Sequence, residues 1–358
     1  MLHDLILSLV NNYAPSDLII KEGDPVWLRV NGTYTAVEGQ VTSRAHLEEF
    51  IKRHEAQTTV PLSKLAQLLE EKGDVDFQVR LGKKGFRGNL YWTNGKKLAM
   101  ALRFQAESIP ELEKLGLPPA FLDMLQQSKG LLLVTGATGS GKTTTLAASL
   151  DYLNRTYDGH IITLEDPVEY ILKSNRCLVD QRQVGRDVTN FTVGLRSALR
   201  QDPDILLVGE LRDYDTVKTA LDAANTGHLV LATLHTNSAQ QTIERLTSFF
   251  SAEKRDWALA TLSQALLGIV SQVLVPRADG KGRLLAAELL VATADVRTSI
   301  RDGRTSQIFN AMDTGSAKGH VLLNNVLIEM ARKGVITEDD ALYVSYDPAR
   351  LKKEFKNA

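Results

Sequence analysis

The chain has 358 residues, with 42 Lys and Arg against 43 Asp and Glu and a formal net charge of −1; near-neutrality argues against a protein built mainly to coat nucleic acid. Length and a hydrophobic content of 43 % suffice for two domains, one large and one small. The single cysteine, Cys177, excludes an internal disulfide and a cysteine-based zinc site, and no apolar run is long enough to cross a bilayer.

The opening MLHDLILSLVNNY lacks a basic start and a small-residue cleavage site, so it reads as a short helix rather than a signal peptide. A cytoplasmic protein of mixed α/β class is expected. VWLRVNG at 26–32 reads as a strand ending in an Asn-Gly turn. VDFQVRLG at 75–82 and FRGNLYW at 86–92 read as strands with residues 83–85 in the turn between them, and KLAMALRF at 97–104 as another. Helical patterns lie at 43–54 and 62–72, so residues 1–105 are expected to form an antiparallel sheet with helices on it. The proline-interrupted stretch around Pro110, Pro118 and Pro119 places a linker and short helix at 106–129.

From Gly130 strands and helices alternate: GLLLVTG, then TTTLAASLDYLN, HIITLEDP, TVGLRSALRQ, DILLVGE, TVKTALDAAN and HLVLATLH. Strands without polar alternation belong to a sheet covered on both faces. Beyond about residue 240 the pattern is mostly helical, broken by a hairpin at 272–290.

GATGSGKT at 136–143 fits the phosphate-cradling loop G-x-x-x-x-G-K-[ST], with a strand before it and a helix behind. Gly136, Ala137, Thr138, Gly139, Ser140 and Gly141 supply a loop whose backbone N–H groups turn inward around phosphate oxygens. The helix beyond presents its positive end. Lys142 reaches the outer phosphates, Thr143 offers a hydroxyl to Mg²⁺, and Thr144 caps the helix or contacts a phosphate.

Hydrolysis needs a group that orients water. Glu210, at the end of DILLVGE, is the candidate general base. Glu165 and Asp166, at the end of HIITLEDP, are candidates to hold Mg²⁺ through water. His228 and His235 flank one apolar strand at an odd spacing, which sets them on opposite faces of a regular strand; His235, at the carboxyl end, is the better phosphate sensor. Arg196 and Arg200 stand i,i+4 on a helix, Arg212 follows Glu210, and Arg87 and Arg103 lie in the first unit. Arginine from another domain or subunit can neutralise transition-state charge.

These pieces together resemble the type II/IV secretion ATPase superfamily, in particular the type IV pilus retraction ATPases. PSDLIIKEGDPVWLRVNG at 15–32 is similar to the family's opening, GATGSGKTTT at 136–145 to its Walker A motif and IITLEDPVEY at 161–170 to its Asp box. DPDILLVGELRD at 202–213 resembles its Walker B region and TGHLVLATLHTNSA at 226–239 its His box. The resemblance implies a RecA-like P-loop ATPase core over 130–358 with a helical C-terminal portion, behind a PAS-like α+β domain. Glu210 would be the catalytic glutamate, with Glu165 organising Mg²⁺ and water and His228 and His235 linking phosphate state to neighbouring elements. Arg87 and Arg103 match arginines that approach nucleotide at a subunit boundary, and Lys96 takes the place of a third.

The family's AIRNLIRE segment is DVRTSIRD here, at 295–302, keeping Arg297 and Arg301 but gaining Asp295, Thr298 and Ser299; its Met-Gln-Thr step is replaced by GHVLLNN at 319–325. The implied function is an ATP-hydrolysing homohexameric motor, peripheral to the inner membrane. It would act on a platform protein to retract a pilus, alone or beside a second motor ATPase, with no nucleic acid. A type IV secretion or conjugation ATPase and an accessory motor remain open alternatives. The pilus-assembly branch carries a four-cysteine zinc site that one cysteine cannot build.

Overall fold

Strict alternation dictates the first unit. In the computed structural model, which describes residues 2–30, 32–54, 62–82, 84–105 and 108–356, the chain divides into two units, Met1–Ser108 and Ile109–Ala358. The first comprises α1 (Leu2–Tyr13), β1 (Asp17–Lys21), β2 (Pro25–Val30), β3 (Thr33–Val41), α2 (Arg44–Arg53), α3 (Leu62–Lys72), β4 (Asp74–Leu81), β5 (Lys84–Thr93) and β6 (Lys97–Gln105). The strands pair antiparallel in the order β3-β2-β1-β6-β5-β4. Leu18, Ile20, Phe77, Val79, Phe86, Leu90, Met100 and Leu102 point to one face and pack with Ile6 and Leu9 of α1 and Leu47 and Phe50 of α2. Each such fully buried side chain contributes roughly 1.5–3 kcal/mol.

The opposite face is polar. Gln78, Arg87, Arg103, Asp17 and Arg29 fall in one transverse register row across β4, β5, β6, β1 and β2. The antiparallel sheet with helices on one face follows the sequence pattern, but β1 and β3 escaped it. The β4–β5 connection is also tighter than expected: Lys84 and Gly85 already belong to β5, Gly82 turns with φ +64°, and residue 83, like Asn31 of the Asn-Gly turn, lies outside the described residues.

The second unit begins with a 3₁₀ turn at Leu112–Lys114 and α4 (Ala120–Leu125), whose Phe121, Met124 and Leu125 are buried in its core. There follow β7 (Gly130–Thr135), α5 (Lys142–Thr156), β8 (Gly159–Glu165), β9 (Cys177–Gln183), α6 (Phe191–Ala198), β10 (Ile205–Val208), α7 (Tyr214–Thr226), β11 (Leu229–Leu234), α8 (Ala239–Ser248) and α9 (Ala252–Ala265). Then come β12 (Leu266–Pro276), β13 (Arg283–Val291), α10 (Ala294–Arg301), α11 (Ser306–Thr314), α12 (Leu323–Arg332), α13 (Glu338–Val344) and α14 (Pro348–Lys356).

The sheet order is β13-β12-β7-β11-β10-β8-β9, parallel throughout except for β13 at one edge. Every residue of β7, β10 and β11 is buried. One face packs on α6, α7, α8 and α9, and the other on α4 and α5, as strands without polar alternation demand. The edge strand β9 was not read from sequence because its alternating, half-buried CLVDQRQ lacks an apolar run. β12 starts earlier than the hairpin predicted, at Leu266.

The C-terminal helices have a small core of their own, where Leu323, Leu327, Ile336, Ala341 and Leu351 pack on Val275 and Ala286 of the hairpin. Each stretch that departs from the family pattern is tied beside the other: Asp295 at the start of α10 pairs at 3.0 Å with Lys318, the residue before GHVLLNN, and buried His320 accepts at 3.1 Å the N–H of Val291, just ahead of α10. Arg297 donates to the Ser263 and Gln264 carbonyls at 2.6 and 2.8 Å, satisfying the last turn of α9.

Candidate active site

The functional side chains gather beyond the carboxyl ends of β7, β8, β10 and β11, where ligands of open α/β sheets bind. Between β7 and α5 the backbone bends at Gly136 (φ +141°), Gly139 (φ +80°) and Gly141 (φ +92°). Gly136 faces the neighbouring strand so closely that a Cβ would lie 2.4 Å from the Gln272 carbonyl oxygen. Gln272, buried in β12, donates its amide to the Ser140 carbonyl at 2.8 Å, and Thr135 and Ser271 share a hydroxyl hydrogen bond of 2.9 Å. The loop is therefore fixed from the β12 side. Sequence reading found the hairpin but not Gln272, since a lone glutamine in an apolar strand has no motif.

Lys142 opens α5. Its Nζ donates to the Gly136 and Ala137 carbonyls at 2.7 and 3.1 Å, inside the curve of the loop. Burial pulls its pKa down, and Glu210 opposes that shift. The first N–H groups of α5 have no intrahelical acceptor, and Ser140 Oγ is buried without a hydrogen-bond partner. Orphaned donors, a positive helix end and a lysine fit a polyphosphate. Thr143 and Thr144 are half-buried, and the Thr144 hydroxyl lies 3.1 Å from that of Tyr170.

Glu210 stands two residues past β10 rather than in it. The Gly209 N–H donates to the Leu164 carbonyl at 2.8 Å, the Leu211 N–H to the Thr233 carbonyl at 3.0 Å, and the Thr233 hydroxyl to the Gly209 carbonyl. The loop is thus pinned to both neighbouring strands. Arg212 grips Glu210 Oε2 through Nε and Nη2, each at 2.8 Å, and this contact raises the Arg212 pKa. Its other arm points toward Asp166 at 4.0 Å.

Glu165 ends β8 and is only 8 % exposed. It accepts from Thr163 Oγ1 at 2.7 Å and Gln181 Nε2 at 3.1 Å; burial raises its pKa and these bonds restrain the rise. Among the described residues no cluster of three or more His, Cys, Asp or Glu could hold a metal ion unaided.

His235, just past β11, joins this group: Nδ1 lies 3.4 Å from Lys142 Nζ and Nε2 3.5 Å from Glu210 Oε2. His228 does not. It precedes β11, with Nδ1 3.1 Å from the Ala223 carbonyl, and seven extended residues at roughly 3.3 Å each separate the two histidines by about 23 Å. Reading the faces of the strand missed that the two rings bracket it end to end.

The arginines are dispersed. Arg103 pairs with Asp17 at 2.8 Å and Arg87 approaches Asp76 at 3.9 Å, side by side on the first unit's polar face. Lys96 pairs with Glu70 at 3.0 Å. Arg196 is exposed and bound to Asp215 at 3.0 Å, while Arg200 falls beyond the end of α6 and reaches back to the Arg196 carbonyl at 3.0 Å.

This constellation has known relatives. The family described as "Type II/IV secretion system protein" matches residues 73–343. The chain is 38 % identical over 337 residues to the type IV pilus retraction ATPase PilT of Pseudomonas aeruginosa, covering 94 % of this chain and 96 % of that one. The chain belongs to the type II/IV secretion system family. It is 36 % identical to the type IV pilus ATPase PilU of the same organism, over 94 % of this chain and 87 % of that one. A crystal structure of the pilus retraction motor PilT with bound ADP superposes with a TM-score of 0.87 at 39 % identity, covering 98 % of both chains. Like other members of the type II/IV secretion family it is an ATPase, with a RecA-like core sheet.

Proposed function

We propose that this chain is an ATP-driven motor of type IV pilus retraction. It works as a homohexameric ring at the cytoplasmic face of the inner membrane, through a platform protein. The observation that carries this reading is the contact chain Lys142–His235–Glu210 at the mouth of the loop, in a chain alike over nearly its whole length to a retraction ATPase. Lys142 and the N–H groups of the loop and α5 bind the phosphates of ATP. Thr143 would offer its hydroxyl to Mg²⁺, with Glu165 and Glu210 helping to hold it through water. Mg²⁺, when bound, neutralises charge on the transferring phosphoryl group. Glu210 orients the attacking water and accepts its proton. Arg87 and Arg103 act across a subunit boundary, and ring assembly supplies what one subunit lacks. Hydrolysis then shifts domains against one another.

The test replaces the cell's own copy with Glu210→Gln and follows fluorescently labelled pili. Fibres that shorten with the wild type and stall with the variant support retraction. Equal shortening sinks that reading. In that case the altered α10 and the similarity to PilU direct attention to an accessory motor, tested by removing the main retraction ATPase in the same strain.

A further inference from the structure

Glu288 is a carboxylate in the middle of β13 with 2 % of its surface exposed. Burying a charge is costly unless it is fully hydrogen-bonded. Oε1 accepts the Ala239 N–H, the first of α8, at 2.9 Å. Oε2 accepts the hydroxyl of Tyr346 at 2.7 Å. Both partners are donors, and the carboxyl sits at the positive end of α8; burial pushes its pKa up and these bonds restrain the rise.

What these partners belong to gives the arrangement its meaning. α8 follows His235 after only Thr236, Asn237 and its N-cap Ser238, whose hydroxyl accepts the Gln241 N–H at 3.3 Å. Fixing the first N–H of α8 therefore fixes the loop that presents His235 to Lys142 and Glu210. Tyr346 lies between α13 and α14, in a short stretch docked on the start of α12: Ser345 donates to Asn324 at 2.7 Å, and Asn324 donates to the Asp347 carbonyl at 3.2 Å. Glu288 also stands opposite Ser271 in the hairpin register, one residue from Gln272, which braces the phosphate loop.

We propose that Glu288 is a positioning residue that couples docking of the C-terminal segment through Tyr346 to the pose of His235 in the ATPase site. It touches neither substrate nor reacting atoms. It acts through α8, so that release of Tyr346 loosens the His235 loop and slows turnover. The coupling rests on His235 serving hydrolysis. Its route through α8 is read independently of that.

The test uses the full chain with Tyr346→Phe, which removes one hydroxyl and leaves the ring packed. Hydrogen exchange is measured at the amides of residues 238–242, and ATP turnover on the assembled protein. The expected result is faster exchange in that segment together with a kcat lower by roughly fivefold or more and an unchanged KM for ATP. Glu288→Gln, whose amide has one oxygen where the carboxylate uses two to accept from Ala239 and Tyr346, is expected to do the same. If it does not fold, Tyr346→Phe alone decides. Wild-type exchange overturns the route through α8. Faster exchange with wild-type kcat reduces the contact to a structural tie and overturns the coupling. If the wild type itself fails to turn over ATP, the ATPase reading falls, and the exchange result still decides the route.

Discussion

The His235 ring stands 3.5 Å from the Glu210 carboxylate, each residue extending from the carboxyl end of one of two neighbouring parallel strands. The opposite ring nitrogen faces Lys142 at 3.4 Å. An ammonium has only donors, so Nδ1 is the nitrogen that accepts from Lys142, and Nε2 is turned toward Glu210. His235 thus stands between the Lys142 ammonium and the Glu210 carboxylate. His235→Ala removes the hydrogen bond with the Lys142 ammonium, a bond to a charged group worth about 1.5–3 kcal/mol at most. With the ring 45 % exposed, the expected loss lies at the lower end, about tenfold in kcat, with ATP affinity largely kept. Steady-state ATPase assays check this, and wild-type kcat would leave the ring without a catalytic part.

Gly136 and Gly139 separate two reasons for glycine in one loop. A methyl at Gly136 would meet the Gln272 carbonyl oxygen at 2.4 Å, backbone that cannot yield, whereas one at Gly139 meets nothing within 4 Å and strains only a φ of +80°. Gly136→Ala should cost at least about 1–3 kcal/mol of stability and abolish tight ATP binding. Gly139→Ala should cost about 1 kcal/mol and bind more weakly. Denaturant unfolding and calorimetry with ATP measure both, and equal behaviour of the two variants would remove the Gln272 contact as the cause.

How far the sequence announces this site depends on whether a residue's job is local. The phosphate loop is local: glycine spacing, lysine and the following helix lie in one stretch, so Gly136 to Thr144 could be named from GATGSGKTT alone. Glu210 and His235 were findable because apolar strands point to their ends. Gln272, Thr233 and Gln181 were not, because each acts across strands far apart in sequence. His228 shows a limit of period-two reasoning: an odd spacing set the two histidines on opposite faces of a strand, whereas they lie just before its start and just past its end. β1 and β3 escaped because DLIIK and THR-rich TYTAVEGQV carry mixed patterns that only pairing with β2 resolves.

Arg87 and Arg103 occupy partner positions on adjacent strands, and both are exposed. Arg103 is tied to Asp17 and Arg87 only weakly to Asp76. Exposed pairs contribute little to stability, typically under about 1 kcal/mol, so Arg87→Ala and Arg103→Ala should fold normally. If the proposed ring forms, their effect is expected in it, as a loss of turnover with the unassembled chain unaffected. Parallel size-exclusion and ATPase measurements test it, and equal activity of wild type and variants under assembling conditions would make both arginines ordinary surface groups.

Asp295 offers a pH signature of the altered α10. The Thr293 hydroxyl and then Lys318 hold its carboxyl down to about 2. A folded value below the ordinary unfolded one of about 3.9 stabilises the fold at every pH above the unfolded value, and that contribution fades as pH falls toward the folded value. The side chain is 45 % exposed, so screening keeps the effect small and salt-sensitive. Asp295→Asn should therefore unfold at a lower temperature than the wild type near neutral pH, with the gap closing between about pH 4 and pH 2. Thermal unfolding across that range checks the sign. A gap that persists unchanged at the acid end would assign the difference to packing of α10 rather than to the Asp295–Lys318 charge pair.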